Sequence, residues 1–137
     1  MKYMLDTNIC IEVIRKKNCD VIQKFENHIS DDFCISAVTY SELLFGCVKS
    51  SNYEKNFKAL EKFLTPIDVL DYPSEAAHHY AQIRSCLELS GTPIGPNDTL
   101  IAAHCLYASC VLVTNNEREF VRVPGLIVQN WVRNKRQ

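Results

Sequence analysis

Short apolar runs alternate along the chain with stretches in which apolar residues recur every three or four positions. Lys2–Leu5 has three apolar residues in four and reads as a short buried strand. Ile9, Cys10, Ile11, Val13 and Ile14 follow in a helix over 8–16 that ends in the basic run Arg15-Lys16-Lys17. Residues 19–29 form a second amphipathic helix, with Val21, Ile22, Phe25 and Ile29 on one side. Asp31-Asp32 breaks that pattern before a strand, Phe33-Cys34-Ile35. Ser36 is placed to cap a helix from Ala37 to Val48, stopping near Gly46 and Ser50-Ser51.

Ser51-x-x-Glu54 is a capping-box pattern that opens the next helix. Tyr53, Phe57, Leu60 and Leu64 follow at helical spacing, and Pro66 closes it. Ile67–Leu70 is strand-like, and Ala76, Tyr80, Ile83 and Leu87 mark a helix over 73–90. Gly91-Thr92-Pro93-Ile94-Gly95-Pro96 reads as a loop, residues 97–107 as a helix and Cys110–Val113 as a buried strand. Residues 116–121 form a short helix, 126–128 a last strand, and the basic tail from Arg133 is expected to fray. Apolar strands alternating with helices predict a three-layer α/β/α domain around a central, mostly parallel sheet. Ligands bind such sheets beyond the carboxyl ends of the strands. Asp6 lies at one of those ends.

Length and composition narrow the class. A chain of 137 residues, 47% apolar and 23% charged, is expected to fold as one domain over 1–137. The net charge of −1 gives no global basic field, although a local patch can still steer a nucleic acid. Seven scattered cysteines, with no signal peptide read ahead of them, predict free thiols in a reducing, cytoplasmic setting. No CxxC occurs, and a zinc site would need His78, His79, Cys86 or His104 to converge with Cys105 and Cys110. No apolar run reaches the roughly 18 residues a membrane span needs.

The candidate chemistry is acidic. Asp6 stands where the first strand hands over to a helix, and an N-cap is the ordinary alternative for it. Glu42 interrupts the row Val38–Glu42–Phe45, unless it is a boundary position reaching water. Asp98 opens an otherwise apolar row, Asp98–Ile101–Cys105, where it would also complement the helix dipole. Asn116 and Glu119 follow the strand Cys110–Val113, and could form a reciprocal cap. Each ordinary reading stands alone, but together they weaken. Burying an unpaired carboxylate costs several kcal/mol, so converging acids either hold protons or take a cation. All-oxygen ligation suits Mg²⁺ or Mn²⁺.

Four segments, MLDTN, ISAVTYSELLFG, GTPIGPNDTLIAAH and LVTNNEREF, occur in order along essentially the whole chain. Together they resemble PIN-domain ribonucleases, and among them the VapC toxins of bacterial toxin–antitoxin pairs. The resemblance implies a PIN fold and metal-dependent RNA cleavage at an acidic site. Carried over by position, Asp6, Glu42 and Asp98 are catalytic and hold the metal, and Glu119 is the fourth catalytic acid. Many relatives have an aspartate in this last motif, where Asn116 or Glu119 stands here. Thr7, Asn8, Thr114 and Asn116 are implied to support the acids or contact phosphate. Arg15, Lys16, Lys17, Arg118, Arg122 and the tail 133–136 are candidate phosphate contacts.

The resemblance also implies a homodimer, a VapB-type antitoxin that enters the acidic groove, and a structured RNA target. The anticodon loop of initiator tRNA is the first choice, with a ribosomal RNA loop as the other class. A non-catalytic PIN-like module that binds RNA or protein is the alternative, and it would be expected to have lost acids. A phosphotransferase of the haloacid-dehalogenase type would need an aspartate where Asn8 stands.

Overall fold

The computed structural model describes residues 2–28 and 30–132, so the expectations for Ile29 and the 133–136 tail lie outside the described residues. Five strands form one sheet: β1 (Lys2–Leu5), β2 (Asp32–Ser36), β3 (Ile67–Leu70), β4 (Val111–Val113) and β5 (Val128–Gln129). Their order is β3-β2-β1-β4-β5, and every pairing is parallel. Seven helices connect them: α1 (Thr7–Arg15), α2 (Cys19–Asn27), α3 (Ala37–Lys49), α4 (Tyr53–Leu64), α5 (Ala76–Leu89), α6 (Pro96–Ala108) and α7 (Glu117–Phe120). No described helix is long and apolar enough to cross a membrane.

The central strand explains the layering. In β1, alternate side chains face opposite sides of the sheet. Tyr3 and Leu5 join a core under α1 to α4, while Met4 joins a second core under α5 and α6. Parallel pairing buries both faces, so residues 3–5 of β1 and all of β4 read as unbroken apolar runs. Trp131, only 2% exposed, closes the first core against Tyr3 and Phe33, with ring centroids 5.5 and 6.1 Å away.

Several local expectations need correction. The 51–54 capping box does not form; Asn52 caps α4 instead, accepting from the Lys55 amide at 3.2 Å. Asn ranks with Ser as a cap, and the register one residue later prevails. Helix α3 spans Ala37–Lys49, one residue beyond the expected Val48, and ends at Ser50. Strand β5 is Val128–Gln129, shifted from the expected 126–128, because its partners Leu112 and Val113 pair with those two residues. Ser36 does cap α3, accepting from the Val38 amide at 3.1 Å. The same Ser36 hydroxyl shares a 2.9 Å hydrogen bond with buried His104 on α6. That bond fixes the start of α3 against α6, the helices that carry Glu42 and Asp98. Cys10, Cys34, Cys47, Cys105 and Cys110 are buried free thiols, and Cys19 and Cys86 are exposed free thiols.

Trp131→Ala is expected to destabilise the fold by about 3–5 kcal/mol, as for other buried large aromatics. Urea denaturation followed by far-UV circular dichroism measures this, since Trp131 is the sole tryptophan.

Candidate active site

The carboxyl end of β1 meets the amino end of α1 at Asp6. Its backbone N–H donates to the Val113 carbonyl of β4 at 3.1 Å, which continues the sheet by one residue. Its side chain then divides its work. Oδ1 caps α1 by accepting from the Ile9 amide at 2.9 Å, and Oδ2 accepts from the Thr114 hydroxyl at 2.5 Å. Asp6 is therefore the helix cap that its neighbours suggest, and it also faces the other acids. Thr114 follows β4, is fully buried, and accepts the Asn116 amide at 2.8 Å.

Glu42 reaches the same region from α3, but not as the expected interruption of a buried stripe. Phe45 is 63% exposed, and the core face of α3 is Thr39, Leu43 and Cys47. Glu42 sits partly buried at the edge of that face. Its Oε1 accepts from the Thr7 hydroxyl at 2.5 Å, and its Oε2 from the Asn97 amide at 3.2 Å. Asn97 was not singled out by the sequence, because its partner lies 55 positions away.

Asp98 enters from the first turn of α6, where Pro96 occupies an N-terminal helix position. Ile101 and Cys105 are buried, at 1% and 0% exposure, so the row that Asp98 opens does face the core. The expected reciprocal cap at α7 is absent: the Asn116 side chain does not cap the helix. Its Nδ2 donates instead to Glu119 Oε2 at 3.0 Å, holding that carboxylate. Asn8 is exposed, and its backbone N–H helps to hold the Asp6 charge. At the rim, Asn115 Nδ2 lies 3.5 Å from Glu12 Oε1, a further acid not anticipated.

The basic candidates divide by position. Arg118 and Arg122 are exposed beside α7, and Arg122 Nη1 donates to the Pro93 carbonyl at 3.4 Å, in the loop before α6. Arg15 ends α1, eight residues after Thr7, and so lies roughly 12 Å along the helix from it. Lys16 follows as a left-handed cap with φ of 53°.

Electrostatics confirm that the acids sense one another. Burial pushes the Asp6 carboxyl up to about 6, against the Thr114 hydroxyl and the Ile9 amide, and the Glu42 charge adds to the rise. Asp98 also rises to about 6, first through burial and then through the charges of Glu119, Asp6 and Glu42. Among the described residues, none of the four acids has a Lys or Arg ion partner; the ion pair present is Arg84–Glu88 on α5. Among the described residues, the side chains that donate to Asp6, Glu42 and Glu119 are the neutral Thr7, Asn97, Thr114 and Asn116, while the Asp98 carboxyl shares a hydrogen bond with Glu119. No three ligating side chains among the described residues stand close enough to form a ready-made coordination sphere. Asp6, Glu42 and Glu119 each accept from a donor of their own, and Glu119 also meets Asp98. The donor set fits a hard divalent cation: oxygen ligands only, uncompensated negative charge, and carboxyls raised partly by each other.

A raised carboxyl pKa means the folded state holds its proton more tightly than the unfolded chain, so stability is lost as pH rises through about 6. Asp98→Asn should therefore stabilise the protein above pH 6 by about 1–2 kcal/mol. The full shift would imply roughly 3 kcal/mol, reduced here because Asp98 is partly solvated. The gain should vanish below about pH 4, and urea melts at both pH values measure it.

Residues 3–126 match the family described as the PIN domain. A Shigella flexneri protein named tRNA(fMet)-specific endonuclease VapC is 47% identical over 131 residues, covering 96% of this chain and 98% of its own. Among solved structures, VapBC2 from Rickettsia felis bound to a promoter DNA fragment superposes with a TM-score of 0.91. It is 37% identical, with 96% of this chain and 99% of that one covered. DNA-bound VapBC from Salmonella typhimurium gives 0.88 at 44% identity, over 96% and 98%. With this identity along nearly the whole length, and the sheet and helices superposed, the chain belongs to the PIN-domain family and, within it, to the VapC group.

Proposed function

We propose that the chain is an endoribonuclease that depends on Mg²⁺ or Mn²⁺ and acts as a single PIN domain over 1–137. The observation that carries this reading is the acidic cleft at the carboxyl edge of the sheet. Asp6, Glu42, Asp98 and Glu119 come from four separate segments; among the described residues Asp6, Glu42 and Glu119 are held by neutral donors, and Asp98 meets Glu119. A binding module would gain nothing from keeping two carboxyls at the raised value of about 6.

Asp6, Asp98 and Glu42 are the proposed metal ligands, and Glu119 completes the catalytic set. An ion bound there supplies an activated water and offsets charge developing on the phosphate. Thr114 and Thr7 fix Asp6 and Glu42 by donating to one oxygen each, leaving their charges intact. Asn116 does the same for Glu119. Asn8, exposed at the mouth, is a substrate-contacting candidate, and Arg118 and Arg122 flank the cleft on the α7 side, where phosphates would lie. Water as nucleophile leaves a 5′-phosphate and a 3′-hydroxyl.

The substrate is a structured RNA loop whose splayed bases a shape-reading enzyme can reach. The anticodon loop of initiator tRNA is the first choice, supported by relatives named tRNA(fMet)-specific endonucleases, with ribosomal RNA as the second. The VapBC relatives support a VapB-type antitoxin partner for this chain and a toxin–antitoxin hetero-oligomer, and the free cysteines suit a reducing, cytoplasmic setting. A groove between α1, α3 and α4, lined by Ile11, Ile14, Leu43 and Leu60, runs to Glu42 and would suit a segment of that antitoxin. Phe45 and Val48, 63% and 67% exposed on α3, support a homodimer contact.

Purified chain freed of antitoxin should cut total bacterial RNA at one discrete site in Mg²⁺ or Mn²⁺ and not in EDTA. Asp6→Asn should lower the rate at least 100-fold, about 2.7 kcal/mol of barrier. Sequencing of the cleavage ends names the target. A 2′,3′-cyclic phosphate would overturn water as nucleophile, and no cleavage under any metal would point to a binding module.

A further inference from the structure

Asn97 is exposed, and nothing in the core requires it. Yet its amide crosses from the first turn of α6 to α3 and takes Glu42 Oε2 at 3.2 Å, while Thr7 on α1 takes Oε1. Both oxygens of Glu42 are thus held, by two helices, on opposite sides. We propose that Asn97 is a positioning residue that sets the orientation of Glu42 for a divalent cation, an inference that rests on the metal-dependent reading above.

The chemistry of the donor is the reason. An amide fixes a carboxylate without neutralising it, so the full negative charge stays available to a cation. A lysine or arginine in its place would compete with that cation and weaken its binding. The same restriction holds throughout the cleft, where Thr7, Thr114 and Asn116 are the other side-chain donors. Partners that orient a metal ligand typically change metal affinity 10–100-fold when removed. Glu42 is partly exposed and on a side chain with three rotatable bonds, so without Asn97 it would spread over several rotamers.

The two donors to Glu42 are also unequal. Thr7 immediately follows Asp6, so its placement comes with the α1 cap. Asn97 stands beside Asp98, so its bond ties the Glu42 carboxylate to the segment that delivers Asp98. Three of the four acids are thereby linked through backbone neighbours: Asp6–Thr7, Glu42 between, and Asn97–Asp98.

Isothermal titration of the full chain with Mn²⁺ tests this, with Asn97→Ala and Asn97→Lys compared against wild type. Both variants should bind Mn²⁺ about 10-fold more weakly, with Asn97→Ala melting within a degree or two of wild type. In RNA cleavage, Asn97→Ala should lower kcat and raise the Mn²⁺ concentration needed, while KM for RNA stays unchanged. Unaltered Mn²⁺ affinity in Asn97→Ala would overturn the assignment. Lysine that binds as tightly as asparagine would overturn the requirement for a neutral donor. A wild type that binds no Mn²⁺ would instead overturn the metal reading itself, and this inference with it.

Discussion

Bringing carboxylates together with no basic partner among the described residues is the constraint around which the rest of this molecule is arranged. Burial, and after it the acidic neighbours, together raise Asp6 and Asp98 to about 6. A fold selected only for stability would place a lysine or an arginine among them, or replace one acid. Instead the donors in the cleft are two threonines and two asparagines. These hold position and leave charge. Such an arrangement costs stability, and carboxyls raised by burial and by one another are characteristic of functional sites.

The parallel sheet makes the arrangement possible. Strands β1 and β4 end side by side, so Asp6 and Thr114 meet through adjacent backbones, 108 positions apart in sequence. Helices α1, α3 and α6 start at the same edge, and their first two turns deliver Thr7, Glu42 and Asn97-Asp98. The capping of α1 and the organisation of the cleft use the same side chain, since Asp6 offers one oxygen to each. The Ser36–His104 bond serves both roles as well, capping α3 while fastening it to α6. Rigid elements position each acid, and the terminal groups of those elements complete the site.

Much of this was legible in the sequence because the strands and helices follow simple apolar periods. The elements, the α/β layering and the acid-bearing segments all come from patterns of four to fourteen neighbouring residues. What was misread was cooperative or long-range. Asp6 was posed as either cap or ligand, although a carboxylate with two oxygens can do both. The Val38–Glu42–Phe45 spacing reads as a buried stripe. A helical wheel cannot decide between that row and the adjacent Thr39–Leu43–Cys47 row, which is the one that packs. The capping boxes at 51–54 and 116–119 lost to Asn52 and to the Asn116–Glu119 side-chain bond. Asn97 carried no local signal, since its bond depends on α3 and α6 being brought together.

The central claim is that the acids form one uncompensated cluster suited to a divalent cation. Thermal melting with and without Mn²⁺, at pH 7.5 and at pH 5, tests it most directly. A ligand that binds only the folded state raises its stability by mass action, and protons compete with a metal for carboxylates. Because Asp6 and Asp98 take up protons at about 6, the account predicts a clear rise in Tm with Mn²⁺ at pH 7.5 that shrinks at pH 5. No rise at pH 7.5, or an equal rise at both pH values, would contradict it.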